Sequence, residues 1–502
     1  MTELKPKEIF IDDTADNDSS EKGESPNVDL MIPEYDKKQT TRTLWKIDWR
    51  LVPLLTVLYL ASFLNVTNLG NAKIAGMESD LDLYGNRYNV ALSVFFVPYS
   101  LFEIPSNILL KIMKPSQWIA VMMFIWGVIM TLTGIVSSYQ GLVAARFFLG
   151  LAEAGFFPAA AYLLTLWYKR YEIQSCMAVF FTACSFSGAF GGLLAFVIEK
   201  MDGIGGLTGW RWIFIIEGLF PVACSIAVWF FLPDTPETAN FLTVEEKAFI
   251  INRLKVETGA DNTDKVGWSS IKDTLMDWKI YVMTVIYQGV SVGVYGFTSV
   301  LPTVVEDMGY HSAIAQLMTV PIYMKAVIFV LIIALWSDHI QTRTPVIIGC
   351  YCVAIIGFIA ELALPQDRLF GVTYLFLFYI AIGIYGLFVC IMCLCGNNLA
   401  PSSKRAIGLA LLVTIGNFGG FIGSNIFLQS QAPKYPAGFD TCLGILIIST
   451  ISTIGLCVAL QRKNKRRDEF MIGKSAEQVR AQYTDAEWVQ LGDKSLLFRY
   501  TL

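Results

Sequence analysis

Apolar residues recur along this chain in runs of about 20, separated by short polar breaks. A helix needs about that many to cross the hydrocarbon core of a bilayer. The runs fall at 50–69, 88–110, 117–137, 140–167, 174–198 and 211–232. A polar stretch follows, and then runs at 279–302, 314–336, 345–364, 369–394, 405–428 and 438–460. The pattern predicts an all-α membrane protein of 12 transmembrane helices in two pseudo-symmetric six-helix bundles.

The expected units are a disordered cytoplasmic tail over 1–43, an N-terminal bundle over 44–233, a linker over 234–278, a C-terminal bundle over 279–460 and a cytoplasmic tail over 461–502. Residues 1–43 are too polar and acidic to form a core, and they show no cleavable signal peptide. In the linker, Pro233-Asp234-Thr235-Pro236 stops the sixth helix. Thr243 and Glu246 have capping-box spacing, which predicts an amphipathic helix from Thr243 to about Leu254 on the membrane surface.

Composition agrees with lipid as the solvent. Of 502 residues, 54% are hydrophobic and 16% charged, where a soluble domain carries about 25% charged residues. A net charge of −4 gives no reason for a nucleic-acid partner. His311 and His339 are too far apart for a histidine-based metal site. All ten cysteines sit in apolar runs. Cys390, Cys393 and Cys395 look like a metal motif but have no second ligand cluster, so they read as packing residues. No cofactor is expected.

Lysines and arginines in short loops set the orientation. Arg42, Lys46, Arg50, Lys111, Lys114, Lys169, Arg170, Arg343, Lys404, Arg405 and the cluster from Arg462 to Arg467 fall on one side. Scattered positives such as Lys73, Arg87, Lys200, Arg368 and Lys434 fall on the other. The rule makes the first side cytoplasmic, with both termini there.

Gly188-Ala189-Phe190-Gly191-Gly192 in the fifth run and Gly416-Asn417-Phe418-Gly419-Gly420 in the eleventh share the pattern G-x-F-G-G. The recurrence six runs apart suggests two related halves, with glycines where helix backbones approach closely. Chance recurrence in a glycine-rich chain is the alternative.

Ionisable groups inside the runs are costly, about 2.5–3.5 kcal/mol each on insertion scales, and so need a reason. Glu103, Arg146, Glu153, Glu217 and Lys325 are the clearest. Arg146 and Glu153 are nearly two turns apart and share a helix face. Glu153 is expected to carry a coupling proton, and Arg146 to hold a carboxylate; a structural ion pair between them is the other reading. Lys325 suits a substrate carboxylate, or else it snorkels or pairs with an acid. Glu103 and Glu217 both admit a structural role. Glu361 is expected to be solvated at an outer helix end. Asp338 and Arg343 are spaced to form a gating latch at the end of the eighth helix.

These residues resemble the major facilitator superfamily, in its anion:cation symporter branch, and more narrowly the fungal allantoate permease group. The likeness spans about 45–470. It rests on Arg146 followed by Leu149-Gly150-Leu151-Ala152-Glu153-Ala154-Gly155-Phe156 and Pro158. It also rests on Gly209-Trp210-Arg211-Trp212-Ile213-Phe214-Ile215-Ile216-Glu217-Gly218, on Phe231 to Glu237, and on the Asp338–Arg343 segment. The resemblance implies proton-driven uptake of a small organic anion by alternating access, with nicotinate, allantoate, pantothenate, biotin and small peptides as the substrate range. One departure stands out. That group carries an Asp-Arg pair where this chain has Asn65 and Val66, which leaves Asn68 as a polar candidate for substrate contact in that segment.

The expected partners are a small organic anion, a proton and the lipid bilayer, with the chain a monomer in the plasma membrane, or else in an internal membrane such as the endoplasmic reticulum. A non-transporting nutrient sensor is a second reading. An enzyme is not expected, because no nucleophile–base pair, metal cluster or phosphate loop stands out.

Overall fold

The computed structural model describes residues 36–502 apart from 111–112, 260–267, 311, 341, 365–368, 473–475, 481 and 485–490. The expected N-terminal tail lies outside the described residues as far as 35, and residues 37–43 already open the first helix. His311, Lys111 and Arg368 also fall outside the description.

Twelve spans follow in order. Span 1 is Lys37–Ala72. Span 2 is broken into Arg87–Ser93 and Phe96–Leu110. Span 3 is Pro115–Thr133, and span 4 is Tyr139–Glu153 continued by Phe156–Thr165. Span 5 is Arg170–Glu199 and span 6 is Gly209–Phe231. Spans 7 to 9 are Trp278–Asp307, Ser312–Ile340 and Thr344–Ala363. Spans 10 to 12 are Phe370–Asn397, Ser402–Ile426 and Pro436–Met471. Among the described residues, eleven helices are long and apolar enough to cross a membrane by themselves. Span 2 is the exception, because the turn at Val94–Phe95 divides it and its longer piece has 15 residues.

The surface is the inverse of a soluble protein's. Large apolar side chains such as Phe230, Phe231 and Leu335 are mostly exposed, while Glu103, Arg146, Glu153 and Glu217 are buried inside the spans. That is the arrangement expected where hydrocarbon surrounds the bundle.

The packing repeats with a period of six spans. Span 1 packs on span 5 as span 7 packs on span 11, and span 5 packs on span 8 as span 11 packs on span 2. The G-x-F-G-G segments form these contacts. Gly191 faces Thr67 of span 1, and Gly419 faces Gln288 and Ser291 of span 7. Across the halves, a Cβ on Gly192 would sit 2.6 Å from Thr319 of span 8, and one on Gly420 would run into the Phe96 ring of span 2. A side chain at either position would push two helices apart. Gly188 departs from the symmetry: it faces Tyr323 of span 8, while its counterpart Gly416 faces Tyr287 of span 7.

The linker joins the bundles at one end, here called the linker end. Thr243 and Glu246 form the expected reciprocal cap, at 3.0 and 3.2 Å, on the helix Val244–Gly259. Glu246 pairs with Lys46 of span 1 at 2.5 Å, and Arg253 pairs with Glu172 of span 5. The linker helix is therefore fastened to the N-terminal bundle.

Residues 491–502 fold back on the linker end of the C-terminal bundle. Asp493, 2% exposed, pairs with Lys279 at the start of span 7 and with Lys404 of span 11 at 2.9 Å. Lys404 also pairs with Asp277 at 2.6 Å. Arg467 of span 12 donates to the carbonyls of Phe498 and Asp493, both at 2.7 Å. Asn398 bonds Thr501, and the Arg343 amide donates to the Leu502 oxygen at 2.5 Å. This segment, read from sequence as part of a tail, is a strap that ties the starts of spans 7, 9 and 11 to the extension of span 12.

Candidate solute site between the halves

A cavity of about 40 Å³ lies where the two bundles meet. Span 1 supplies Tyr59, Ser62, Phe63 and Val66, span 2 supplies Phe95 and Tyr99, and span 4 supplies Glu153 and Phe157. The C-terminal half supplies Tyr287 and Tyr295 from span 7, Phe388 from span 10, and Val413 and Asn417 from span 11. Tyr287 and Tyr295 are eight residues apart and so share a helix face. No lysine or arginine lines the cavity among the described residues. Its walls are aromatic rings and hydroxyls around one carboxylate and one amide.

Glu153 is buried and held by span 1. Ser62 donates to one carboxylate oxygen, and the Asn65 amide donates to the other at 3.0 Å. Asn65 thus stands beside the buried acid that the sequence marks as the proton carrier. Asn68, one turn further on, donates to Glu217 of span 6 at 2.6 Å. Asn68 does not line the cavity; it supports Glu217, whose other oxygen is buried without a partner.

Arg146 is buried beside this column, with its guanidinium 5.7 Å from the Phe214 ring. Its Nε and Nη2 have no hydrogen-bond partner. Glu153 takes its bonds from span 1 instead of from Arg146, so the pair does not form the structural ion pair that their spacing allows. A buried guanidinium with unused donors on two nitrogens is a source of positive potential about two helical turns from Glu153.

Two expected positions differ in the structure. Lys325 is exposed, and its Nζ lies 4.7 Å from the Phe378 ring of span 10, outside the cavity. The reason is helical phase. Ile322, Tyr323 and Ala326 take the inward face of span 8, and Lys325 is two residues, about 200°, past Tyr323. Glu361 is buried, not solvated, because span 9 packs on spans 10 and 12 up to its last turn.

At the linker end, Arg343 donates from Nη1 to Ser337 at 2.7 Å. The side chain of Asp338, its expected latch partner, lies outside the described residues. At the opposite end the halves are joined directly. Asn89 of span 2 donates to the carbonyls of Ser424 and Phe427 at 2.8 and 3.1 Å, and Lys73 donates to Gln429 at 2.5 Å.

Sequence reasoning missed Asn417, although it sits inside the second G-x-F-G-G segment, and it missed the tyrosines. Tyrosine in an apolar run reads as core, and only the assembled bundle shows which rings face the gap.

Two bundles of six helices, related by a repeat and enclosing a polar and aromatic cavity at their seam, define a secondary-transporter fold. The chain belongs to the Major Facilitator Superfamily, whose sequence model matches residues 55–424. It is therefore a multi-pass membrane transporter and not an enzyme. It is similar to the MFS-type transporter cnsO of Penicillium expansum, 36% identical over 92% of this chain and 90% of that protein. It is also similar to the high-affinity nicotinic acid transporter of Saccharomyces cerevisiae, 32% identical over 87% of this chain and 81% of that one. Among solved structures, a bacterial homologue of the human lysosomal transporter Spinster matches with a TM-score of 0.64 at 13% identity, covering 82% of this chain and 96% of that one. The D-xylose-proton symporter matches with a TM-score of 0.61 at 14% identity, covering 81% and 97%. At such identities these two structures speak to the fold alone.

Proposed function

We propose that this chain carries a small organic acid of the nicotinate type across the plasma membrane together with a proton, by alternating access. The observation that carries the reading is the cavity itself. Aromatic rings from both halves surround the one carboxylate in its wall, Glu153, which is held by Ser62 and Asn65. Aromatic faces suit a flat ring. The Asn417 amide and the tyrosine hydroxyls supply hydrogen-bond donors for a carboxylate. Arg146, about two helical turns from Glu153 on the same span, offsets the added negative charge. The likeness to a nicotinic acid transporter supports this solute class, and the Arg146–Pro158 and Gly209–Gly218 segments support the allantoate permease branch.

In this reading Glu153 carries the coupling proton. Asn68 acts through Glu217, Arg146 biases the site toward anions, and Lys325 has no part in binding. The bundles 44–233 and 279–460 rock about the seam, with the linker 234–278, both termini and the Asp338–Arg343 segment on the cytoplasmic side. The chain works as a monomer.

The test is uptake of labelled nicotinate by cells expressing the protein, at pH 5 and pH 7.5, with and without a protonophore. Uptake that rises at the lower pH and collapses with the protonophore is expected. In Glu153→Gln the proton dependence is expected to vanish; unchanged dependence in that variant would overturn the coupling role.

A further inference from the structure

Three buried glutamates stand in the spans of the N-terminal half, and they differ in what holds them. Glu153 and Glu217 accept from residues of span 1, inside their own half. Glu103 of span 2 reaches across the seam. Its Oε2 accepts from Thr414 Oγ1 at 3.2 Å and from Asn417 Nδ2 at 3.3 Å, both in span 11. The carboxyl is 3% exposed. The same Asn417 side chain also forms part of the cavity wall. One amide therefore stands between the solute space and an acid that bridges the halves.

We propose that Glu103 and Asn417 form a relay that links occupancy of the cavity to binding of a proton at the seam, with Glu103 a positioning residue that never touches the solute. The proposal rests on the reading that the cavity takes a solute. An ionised carboxylate only accepts hydrogen bonds, and a buried one depends on each donor it has. The Asn417 amide has two N–H donors, and when a solute draws that side chain into the cavity, Oε2 of Glu103 keeps Thr414 alone. The anion is then less well solvated, and a proton from water adds to the carboxylate; no other bond is made or broken. Linkage makes the effect reciprocal: a proton already on Glu103 frees the amide for the solute.

The neighbours permit this. The titratable groups around the same space are Tyr59 on span 1, Tyr99 on the helix of Glu103, Glu153 on span 4, and Tyr287 and Tyr295 on span 7. Span 11 presents the neutral Thr414 and Asn417. Among the described residues, no lysine or arginine lines the space. The Gly420–Phe96 approach lies one turn from Asn417 on the same pair of spans, so the relay sits at a close contact between the halves.

The test needs no solute. The full chain in lipid vesicles is titrated from pH 4 to 9, and the carboxyl C=O infrared band that Glu103→Gln removes is followed. Asn417→Ala imitates loss of the amide, and Thr414→Val removes the other donor. Each is expected to move the midpoint of that band upward by about one pH unit, the scale of a lost hydrogen bond to a buried carboxylate. Two variants guard against one that fails to fold. The proposal is overturned if Glu103→Gln removes no band in this range, or if the midpoint stays put in the folded variants. Nicotinate uptake is read separately on the same vesicles. Failure of wild-type uptake alongside a shifted midpoint would overturn the solute assignment and leave the relay standing.

Discussion

The side-chain amide of Asn65 in span 1 lies 3.0 Å from the carboxylate of Glu153 in span 4 and donates to it. An aspartate at 65 would put two carboxylates where one now has a neutral donor. Like charges that close share a proton, and one of the pair binds it more tightly. Asn65→Asp is therefore expected to shift the pH profile of uptake upward by more than one unit. A profile that superimposes on the wild type would show that residue 65 does not set the ionisation of Glu153.

Lys325 and Arg146 should separate cleanly. Lys325→Met removes a charge from an exposed helix face, and uptake is expected to stay within about twofold, as for surface changes generally. Arg146→Met removes a buried guanidinium with free donors beside the site, and should lower uptake by tenfold or more with the protein still in the membrane. Equal loss in both variants would restore Lys325 to the binding site.

The linker helix should respond to acid. Burial disfavours the charge on Glu246, but Lys46 and the Thr243 amide outweigh it and hold its carboxyl below the usual carboxylate value. A depressed acid stabilises docking above its unfolded value, and that contribution is lost as pH falls through the folded one. Backbone amides of 244–254 are expected to exchange faster below about pH 4, near the ordinary carboxylate range. In Glu246→Gln the exchange should already be fast at pH 7 and lose its pH dependence.

The strap should be released by one charge. Asp493→Asn leaves Lys279 and Lys404 with Asp277 alone. Breaking a buried pair on one side costs about 3–5 kcal/mol. The expected result is rapid trypsin cleavage within 491–502 and faster exchange of the Arg343 amide, which bonds Leu502. Unaltered protection would mean that the backbone contacts of Arg467 and Asn398 hold the strap by themselves.

Gly420→Ala and Gly192→Ala crowd the two seams between the halves, where overpacking costs about 1–3 kcal/mol. Gly444→Ala in span 12 meets nothing within 4 Å. Uptake by the first two is expected to fall sharply at normal membrane abundance, while the third matches wild type.

Much of the architecture is written in one-dimensional spacing. Run length marks all twelve spans, though not the break at Val94–Phe95 in span 2, and the G-x-F-G-G repeat marks both seams. The linker cap at Thr243 and Glu246 is local, so its sequence signature was sufficient. The site is harder to read, because rotation of each helix within the bundle has no local signature. Lys325 and Tyr323 are two residues apart, and only the packing of span 8 on span 5 shows that Tyr323 faces inward. The same holds for Glu103, whose partners Thr414 and Asn417 lie more than 300 residues away. The strap was unreadable for a different reason. Its anchors Asp277, Lys279 and Lys404 look like ordinary charges in loops until Asp493 is folded onto them.

The paired approaches at Gly192 and Gly420 carry one last consequence. They hold the two halves together at two places related by the internal symmetry, and neither tolerates an added side chain. Such contacts act as a fulcrum. In the rocking motion proposed above, widening the gap at one end narrows it at the other, which disfavours a continuous water path through the protein. The leak-tightness that a proton gradient demands would then be a property of two missing methyl groups.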